Sequence, residues 1–280
     1  MTKSYYDWCA MIIDVYMRSG PSGSNPGGKG NIHITHENIP SYIKYCNSTS
    51  LGRESPLIPD NQPVYEALTF ALARELGLST PEDALLHNDD ETQLNFTYLP
   101  GFKGKAFDMV PFYFSSRLIE GNESKDQASA IGLLARDKVY RDLLNLADVS
   151  GRRQNVFIPE GSQNIIYLDL GCSFVDAQHG RLSQRNSIKK LKVEKKSVKK
   201  SRKRLDKMAI ETPSHRLVSL GRLVEELPKT ELRVHGQGYK TLDDLISQRE
   251  INYIQSVYAL HFAREAQRYS SDPRFRRRAA

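Results

Sequence analysis

The chain has 280 residues, 39% of them apolar, a mean hydropathy of −0.53 and a formal charge of +7. That length accommodates one bilobal domain or two ordinary ones, and no apolar run approaches the ~18 residues of a membrane-spanning helix, so no transmembrane segment is expected. Three cysteines (Cys9, Cys46, Cys172) are odd in number and lack metal-ligand spacing, so a reducing, cytoplasmic location is the default expectation.

Charge is localised. Residues 185–207 carry twelve Lys/Arg against two acids, a local +10 that leaves the rest of the chain at −3. At the N-terminus, WCAMIIDVYM is interrupted by Asp14 and lacks a basic flank and a small-residue cleavage site, so it does not read as a signal peptide. Residues 5–17 fit either a short helix or a buried strand. Residues 19–31, dense in Gly, Pro and Ser, read as loop. Residues 32–34 (IHI) and 41–46 (SYIKYC) have strand character, separated by THENIP, and 47–62 reads as a second polar loop.

A helix is expected over 63–77. Pro63 opens it, Val64, Leu68, Ala71, Leu72 and Leu76 recur at helical spacing, and Gly77 ends it. Residues 106–119 read as strand plus connector, and 124–146 as helix with Ser124 as a cap. Residues 185–208 fit a very basic helix or an unstructured tract. Residues 214–227 read as helix ended by Pro228. Residues 241–269 read as one long helix opened by a Thr241–Asp244 capping box. The layout is a strand-rich first half followed by a helical second half.

At the junction lies DVSGRRQNVFIPEGSQNIIYLDLGCSF, which begins at Asp148. An Asp and an Asn sit in a polar turn, and a β-like run, a loop and a second β-like run lead to Asp169-Leu-Gly171. Transfer of a phosphoryl group needs this order: a carboxylate to orient the acceptor hydroxyl, then an Asn and an Asp to hold Mg²⁺. A Lys on an adjoining strand must reach the nucleotide phosphates, and Lys44 lies in SYIKYC, with Glu66 on the first turns of the next helix as its partner. Gly27, Gly28 and Gly30 around Lys29 fit either a backbone cradle for phosphates or a plain linker.

These residues carry a resemblance to HipA-type kinases, an atypical group related to the phosphatidylinositol kinases. NQPVYEALTFALARELGLSTPE (61–82) resembles their Glu-bearing N-lobe helix, YFSSRLIEG (113–121) their hinge, and 142–174 their catalytic and metal-binding loops. The resemblance covers about residues 20–176. It implies an α+β, bilobal protein-kinase-like fold: a strand-rich N-lobe (1–120) and a helical C-lobe (121–280) that contains the basic segment. It implies an ATP- and Mg²⁺-dependent kinase acting on a protein Ser/Thr hydroxyl. Gly27, Gly28, Lys29, Lys44 and Glu66 would hold the nucleotide, Asn155 and Asp169 the metal, and Asp148 the acceptor.

Two departures from the family stand out. Six residues separate Asp148 from Asn155 where the family has four, which places Ser150 at the family's Asp spacing, and the family's His is absent, with Arg152 and Arg153 in that loop. The alternatives are therefore a catalytic Asp148, weak catalysis around Ser150, or a pseudokinase. Some members of the family phosphorylate serines in a Ser-x-Ser-Gly-x-Gln-x-Lys loop of their own; Ser22, Ser24 and Lys29 keep that spacing without its Gly and Gln, and the alternative is that both serines are ordinary loop formers. The basic segment fits electrostatic docking of nucleic acid, docking on an anionic membrane surface in a lipid-kinase-like role, or a solvated insertion; a cognate regulator is a further expected partner.

Overall fold

The chain is described by a computed structural model at residues 11–17, 27–34, 37–44, 56–88, 92–98, 111–123, 144, 146, 155–162, 164–170, 175–176, 181–182, 224–256 and 258–259. The predicted helix 124–146 (apart from Leu144 and Leu146), the basic segment 185–207, residues 214–223 of the predicted helix 214–227, residues 260–269 of the predicted helix 241–269, Asp148, Ser150, Ser22 and Ser24 lie outside the described residues.

Three strands open the fold as an antiparallel meander: β1 (Met11–Met17), β2 (Gly27–Ile34) and β3 (Glu37–Lys44). The first of the two readings of residues 5–17, a helix, is thereby replaced by a strand over Met11–Met17. Two loop expectations are also corrected. Gly27–Asn31 belong to β2, where Gly27 pairs with Lys44, Gly28 with Ile43 and Lys29 with Tyr42. The ladder to β3, joined from Lys29 onward by one to β1, outweighs the low strand propensity of glycine. Glu37–Pro40 likewise belong to β3. The Pro40 carbonyl accepts the Leu118 N–H at 2.9 Å just beyond Ser41–Arg117, the last pair between β3 and the strand Phe112–Arg117, so its missing N–H breaks no pair of that ladder.

The meander is part of a sheet whose described order is β12-β11-β4-β6-β3-β2-β1-β5. It includes β4 (Ala84–Asn88), β5 (Thr92–Tyr98), β6 (Phe112–Arg117), β11 (Glu231–Val234) and β12 (Gly238–Thr241). The β1–β5 and β4–β11 pairings are parallel and the others antiparallel. Across β1 and β5, Asn95 donates to Asp14 at 3.0 Å, directly in register. The architecture is thus mixed α and β. The expectation of a helical second half needs amending, because the β11–β12 hairpin returns from residue 231 onward to extend the sheet: Val234 pairs with Leu86, and His235 N–H donates to Leu86 O at 2.8 Å.

Helix α1 (Gln62–Glu75) matches the predicted segment and lies against β4, β6 and β11. Eleven of its fourteen residues are buried, so it is an interior helix with no broad solvent face. Its end is a Schellman turn: Leu78 N–H reaches Ala73 O at 2.9 Å, Gly77 N–H reaches Arg74 O at 2.8 Å, and Gly77 takes φ +77°. Phe70 meets Phe114 of β6 with ring centroids 4.9 Å apart.

Beyond the sheet, β7 (Val156–Phe157) and β8 (Ile166–Tyr167) form a short antiparallel ribbon, and β9 (Val175–Asp176) pairs with β10 (Arg181–Leu182). Residues 224–225 are helical and run into a tight turn, Leu227–Lys229, that contains Pro228. The long helix expected over 241–269 is broken. The Thr241–Asp244 capping box forms and opens α2 (Leu242–Leu245), but Ile246 is extended, and a second helix, α3, covers 248–256. Ser247 and Glu250 supply the reason. Ser247 N–H donates to Glu250 Oε2 at 2.9 Å and Glu250 N–H donates back to Ser247 Oγ at 3.4 Å, a second capping box that starts a new helix.

Candidate functional site

Lys44 ends β3, between Gly27 of β2 and Phe114 of β6, and its side chain is only 7% exposed. A buried ammonium needs partners, and two carboxylates provide them. Nζ donates to Glu66 of α1, itself 1% exposed, and to Asp169 Oδ1 at 2.6 Å. Asp169 is 40% exposed on its side chain and is the member of the trio that solvent reaches. The next residue closes the arrangement, because Leu170 N–H donates to the Glu66 carboxylate. The Tyr42 ring lies 5.8 Å from Nζ, near the outer limit for a cation–π contact.

The β7–β8 ribbon positions Asp169. At its open end Leu168 N–H donates to the Asn155 carbonyl at 2.9 Å, which sets Asn155 and the Asp169 loop side by side. Tyr167 N–H donates to Ser79 O at 2.9 Å, and Glu160 N–H to Asn122 O at 2.9 Å, so the ribbon is tied both to the turn after α1 and to the segment after β6. Residues 167–170 therefore run back along α1, from Ser79 beyond its C-terminus to Glu66 near its start.

The electrostatics follow from two carboxylates sharing one ammonium. Burial alone lowers the Lys44 pKa, but the Asp169 and Glu66 charges, with their hydrogen bonds, outweigh it and hold the ammonium above its ordinary range. Burial pushes Glu66 up to about 7; the Asp169 charge adds to the rise, while Lys44 and the Leu170 N–H oppose it. Lys44 is thus a fixed cation. Near neutral pH Glu66 is the group poised to exchange a proton.

Four of the residues singled out in the sequence come together here: Lys44, Glu66 and Asp169 in direct contact, and Asn155, 8% exposed, at the same ribbon end. Gly27 and Gly28 lie on the neighbouring strand beside Lys44 and Ile43, and Lys29 is exposed further along it. Asp148, Ser22 and Ser24 lie outside the described residues. The sequence reading had no role for the Leu170 N–H or for Ser79, which act through the backbone and carry no side-chain signal.

A cleft of roughly 1100 Å³ lies elsewhere, lined by Asn38, Pro40, Arg74, Pro81, Glu120 and Asn164 among others, and it shares no residue with the trio. Pro40 and Lys44 are four positions apart on β3, about 13 Å. Its two arginines are engaged, Arg74 with Thr80 and with the carbonyls of Pro81 and Glu82, Arg117 with Asp83 at 2.8 Å. The buried charges therefore mark the chemical site better than this open volume does.

Among the described residues no group of three or more His, Cys, Asp or Glu converges as a metal site, and no helix is long and apolar enough to cross a membrane. The Asn155 and Asp169 side chains are hard oxygen donors, a set too small to enclose an ion but suited to Mg²⁺, which keeps several waters and takes further oxygens from phosphates. No protein-family model matches the chain, and no curated protein matches it.

Proposed function

We propose that the protein is an ATP- and Mg²⁺-dependent kinase of the HipA-like kind, with a bilobal kinase-like fold, phosphorylating a Ser/Thr hydroxyl of a protein substrate in a cytoplasmic setting. One observation carries the reading. A strand Lys, a helix Glu and the Asp of an Asp-x-Gly loop, from three separate parts of the chain, form one cluster in which the Lys and the Glu are buried and the Asp reaches solvent. Kinases need the strand Lys–helix Glu ion pair and the Asp-x-Gly carboxylate in place together. A general structural ion pair requires neither the third partner nor the ribbon beside it.

In this reading Lys44 holds the nucleotide phosphates, with Gly27, Gly28 and Lys29 on the adjoining strand, and Glu66 fixes the direction of Lys44. Asn155 and Asp169 hold Mg²⁺, which neutralises charge on the transferring phosphoryl group. Asp148 orients the acceptor hydroxyl. The basic segment 185–207 serves electrostatic attraction to an anionic partner, nucleic acid or an anionic surface.

The test is incubation with γ-labelled ATP and Mg²⁺, followed by mass spectrometry of the chain and of candidate acceptors, with Ser22 and Ser24 as the expected self-modified positions. Lys44→Ala and Asp169→Ala should abolish the signal. ATP binding and phosphorylation that survive both substitutions would overturn the proposal. Phosphate appearing only on inositol lipid vesicles would assign the same site to lipid phosphorylation instead.

A further inference from the structure

The carboxylate of Glu250 is fully buried and held by four donors. Asn61 Nδ2 reaches Oε1 at 2.9 Å and the Tyr65 hydroxyl donates to the same oxygen, while Ser247 N–H and Oγ reach Oε2 at 2.9 and 2.7 Å. Tyr65 in turn accepts the Ile58 N–H at 3.1 Å. Asn61 occupies the N-cap position of α1 and makes no side-chain cap; its Nδ2 donates instead to Glu250. A single buried carboxylate thus joins the starts of two helices, α1 and α3, separated by 189 positions in sequence between Asn61 and Glu250.

Tyr65 and Glu66 are consecutive on α1, about 100° apart around the helix. One points to Glu250 and the other to Lys44, so a rotation that frees Tyr65 also displaces Glu66. Side-chain ends lie about 5–6 Å from a helix axis, so a turn of about 20° moves them about 2 Å. That exceeds the tolerance of both hydrogen bonds. We infer that Glu250 is a positioning residue for the Lys44–Glu66 pair: by clamping Asn61 and Tyr65 it fixes the rotation of α1 that presents Glu66 to Lys44. Glu250 touches neither Lys44 nor Asp169 and acts only through α1. The inference deepens the proposed function in that it assigns control of that site to α3, and its catalytic consequence rests on that reading.

The experiment measures the pairing directly, apart from turnover. Lys44 is labelled with an amine-acylating reagent across neutral to alkaline pH in the full chain, quantified by peptide mass spectrometry with exposed Lys229 as the internal reference. In the wild-type chain Lys44 resists labelling until strongly alkaline pH. Glu250→Gln, which keeps the volume but removes the charge, and Tyr65→Phe, which removes only the hydroxyl, should move the Lys44 profile toward lower pH. Its rate at neutral pH should rise about tenfold for every pH unit that the profile moves, with Lys229 unchanged. ATP turnover, measured in parallel, should fall about 10- to 100-fold in the same variants. If the variants melt at lower temperature while the Lys44 profile of the folded chain stays as in wild type, Glu250 is merely structural and the inference is overturned. Should Glu250→Gln fail to fold, Tyr65→Phe decides alone by the same readout. A displaced profile in a protein that transfers no phosphate upholds the positioning role and refutes the kinase reading, which keeps the two failures apart.

Discussion

Lys44 and Asp169 stand 125 positions apart and meet at 2.6 Å, while the same Lys44 Nζ also donates to Glu66. Two carboxylates on one buried ammonium leave an excess negative charge when all three are ionised, and a buried excess charge is unfavourable. The arrangement relieves it in two ways: Asp169 reaches solvent, and Glu66 holds a proton up to about pH 7.

Removing the cation should expose this balance. Lys44→Met leaves Glu66 buried without its partner, and the expected loss of unfolding free energy is about 3–5 kcal/mol. The pH dependence has a fixed sign. Glu66 has a raised folded pKa, so its favourable contribution is complete below its ordinary value of 4.5 and is lost as pH rises through about 7. Without Lys44 the folded value rises further. Urea unfolding at acid and at mildly alkaline pH should show the Lys44→Met deficit growing with pH; a deficit independent of pH would contradict this account.

A second titration has the opposite sign. His87 is fully buried on β4, with Nε2 and Ser115 Oγ 2.6 Å apart, Nδ1 without a partner, and its ring 5.9 Å from that of His235. Burial, then the neighbouring His235, depresses it from an ordinary 6.5 to about 3. A depressed folded pKa means stability is complete above 6.5 and is lost as pH falls from there toward 3, at up to ~1.4 kcal/mol per pH unit in that window. His87→Gln should flatten the acid limb of the stability curve measured by urea midpoints, in proportion to one fewer proton taken up on unfolding. An unchanged acid slope would show that another group dominates.

The two helix punctuations are separately testable. Gly77 takes φ +77°, a region where an L-residue costs roughly 1–2 kcal/mol, so Gly77→Ala should lower stability by about that amount. Ser247→Ala removes the cap of α3 together with one of the four donors to Glu250, and the expected loss is about 1 kcal/mol for the cap with a further loss from the exposed lone pair. Thermal melts of the single and double variants should be additive, since Gly77 and Ser247 share no hydrogen-bond partner among those described.

What the sequence disclosed, and what it did not, divides along the range of the interactions. Glu66 was legible because α1 is bracketed by Pro63 and Gly77 and because a carboxylate early in a helix after a strand Lys is a local pattern. Asp169 was legible because it ends an apolar run just before Leu-Gly. The break between α2 and α3 carried a local signal in Ser247-x-x-Glu250 that the continuing apolar spacing of Ile246, Ile254 and Tyr258 masked. The β11–β12 hairpin was written in the alternation of Leu232 and Val234 and in the glycines Gly236 and Gly238, both at positive φ. Its pairing with Leu86 was not written locally, since a parallel ladder joins segments that share no turn. Glu250 was the least legible: a charged residue on an amphipathic helix reads as solvated, and only donors from residues 61, 65 and 247 make its burial tolerable.

Asp169→Asn separates fold from function most cleanly. The substitution keeps the size of the side chain and an oxygen for Lys44 while removing one of the two charges. Glu66 loses the repulsion that helps raise its pKa, so its value should fall and its pairing with Lys44 should strengthen. Stability at neutral pH should therefore hold or improve. Mg²⁺-dependent nucleotide binding should weaken by about 10- to 100-fold, equivalent to ~1.4–2.8 kcal/mol, because a neutral amide replaces the sole carboxylate of the proposed metal pair. Isothermal titration with Mg²⁺ and ATP beside a urea melt reads both quantities on one preparation. A variant that lost stability while keeping full Mg²⁺-dependent binding would place the carboxylate of Asp169 in the scaffold and take the metal elsewhere.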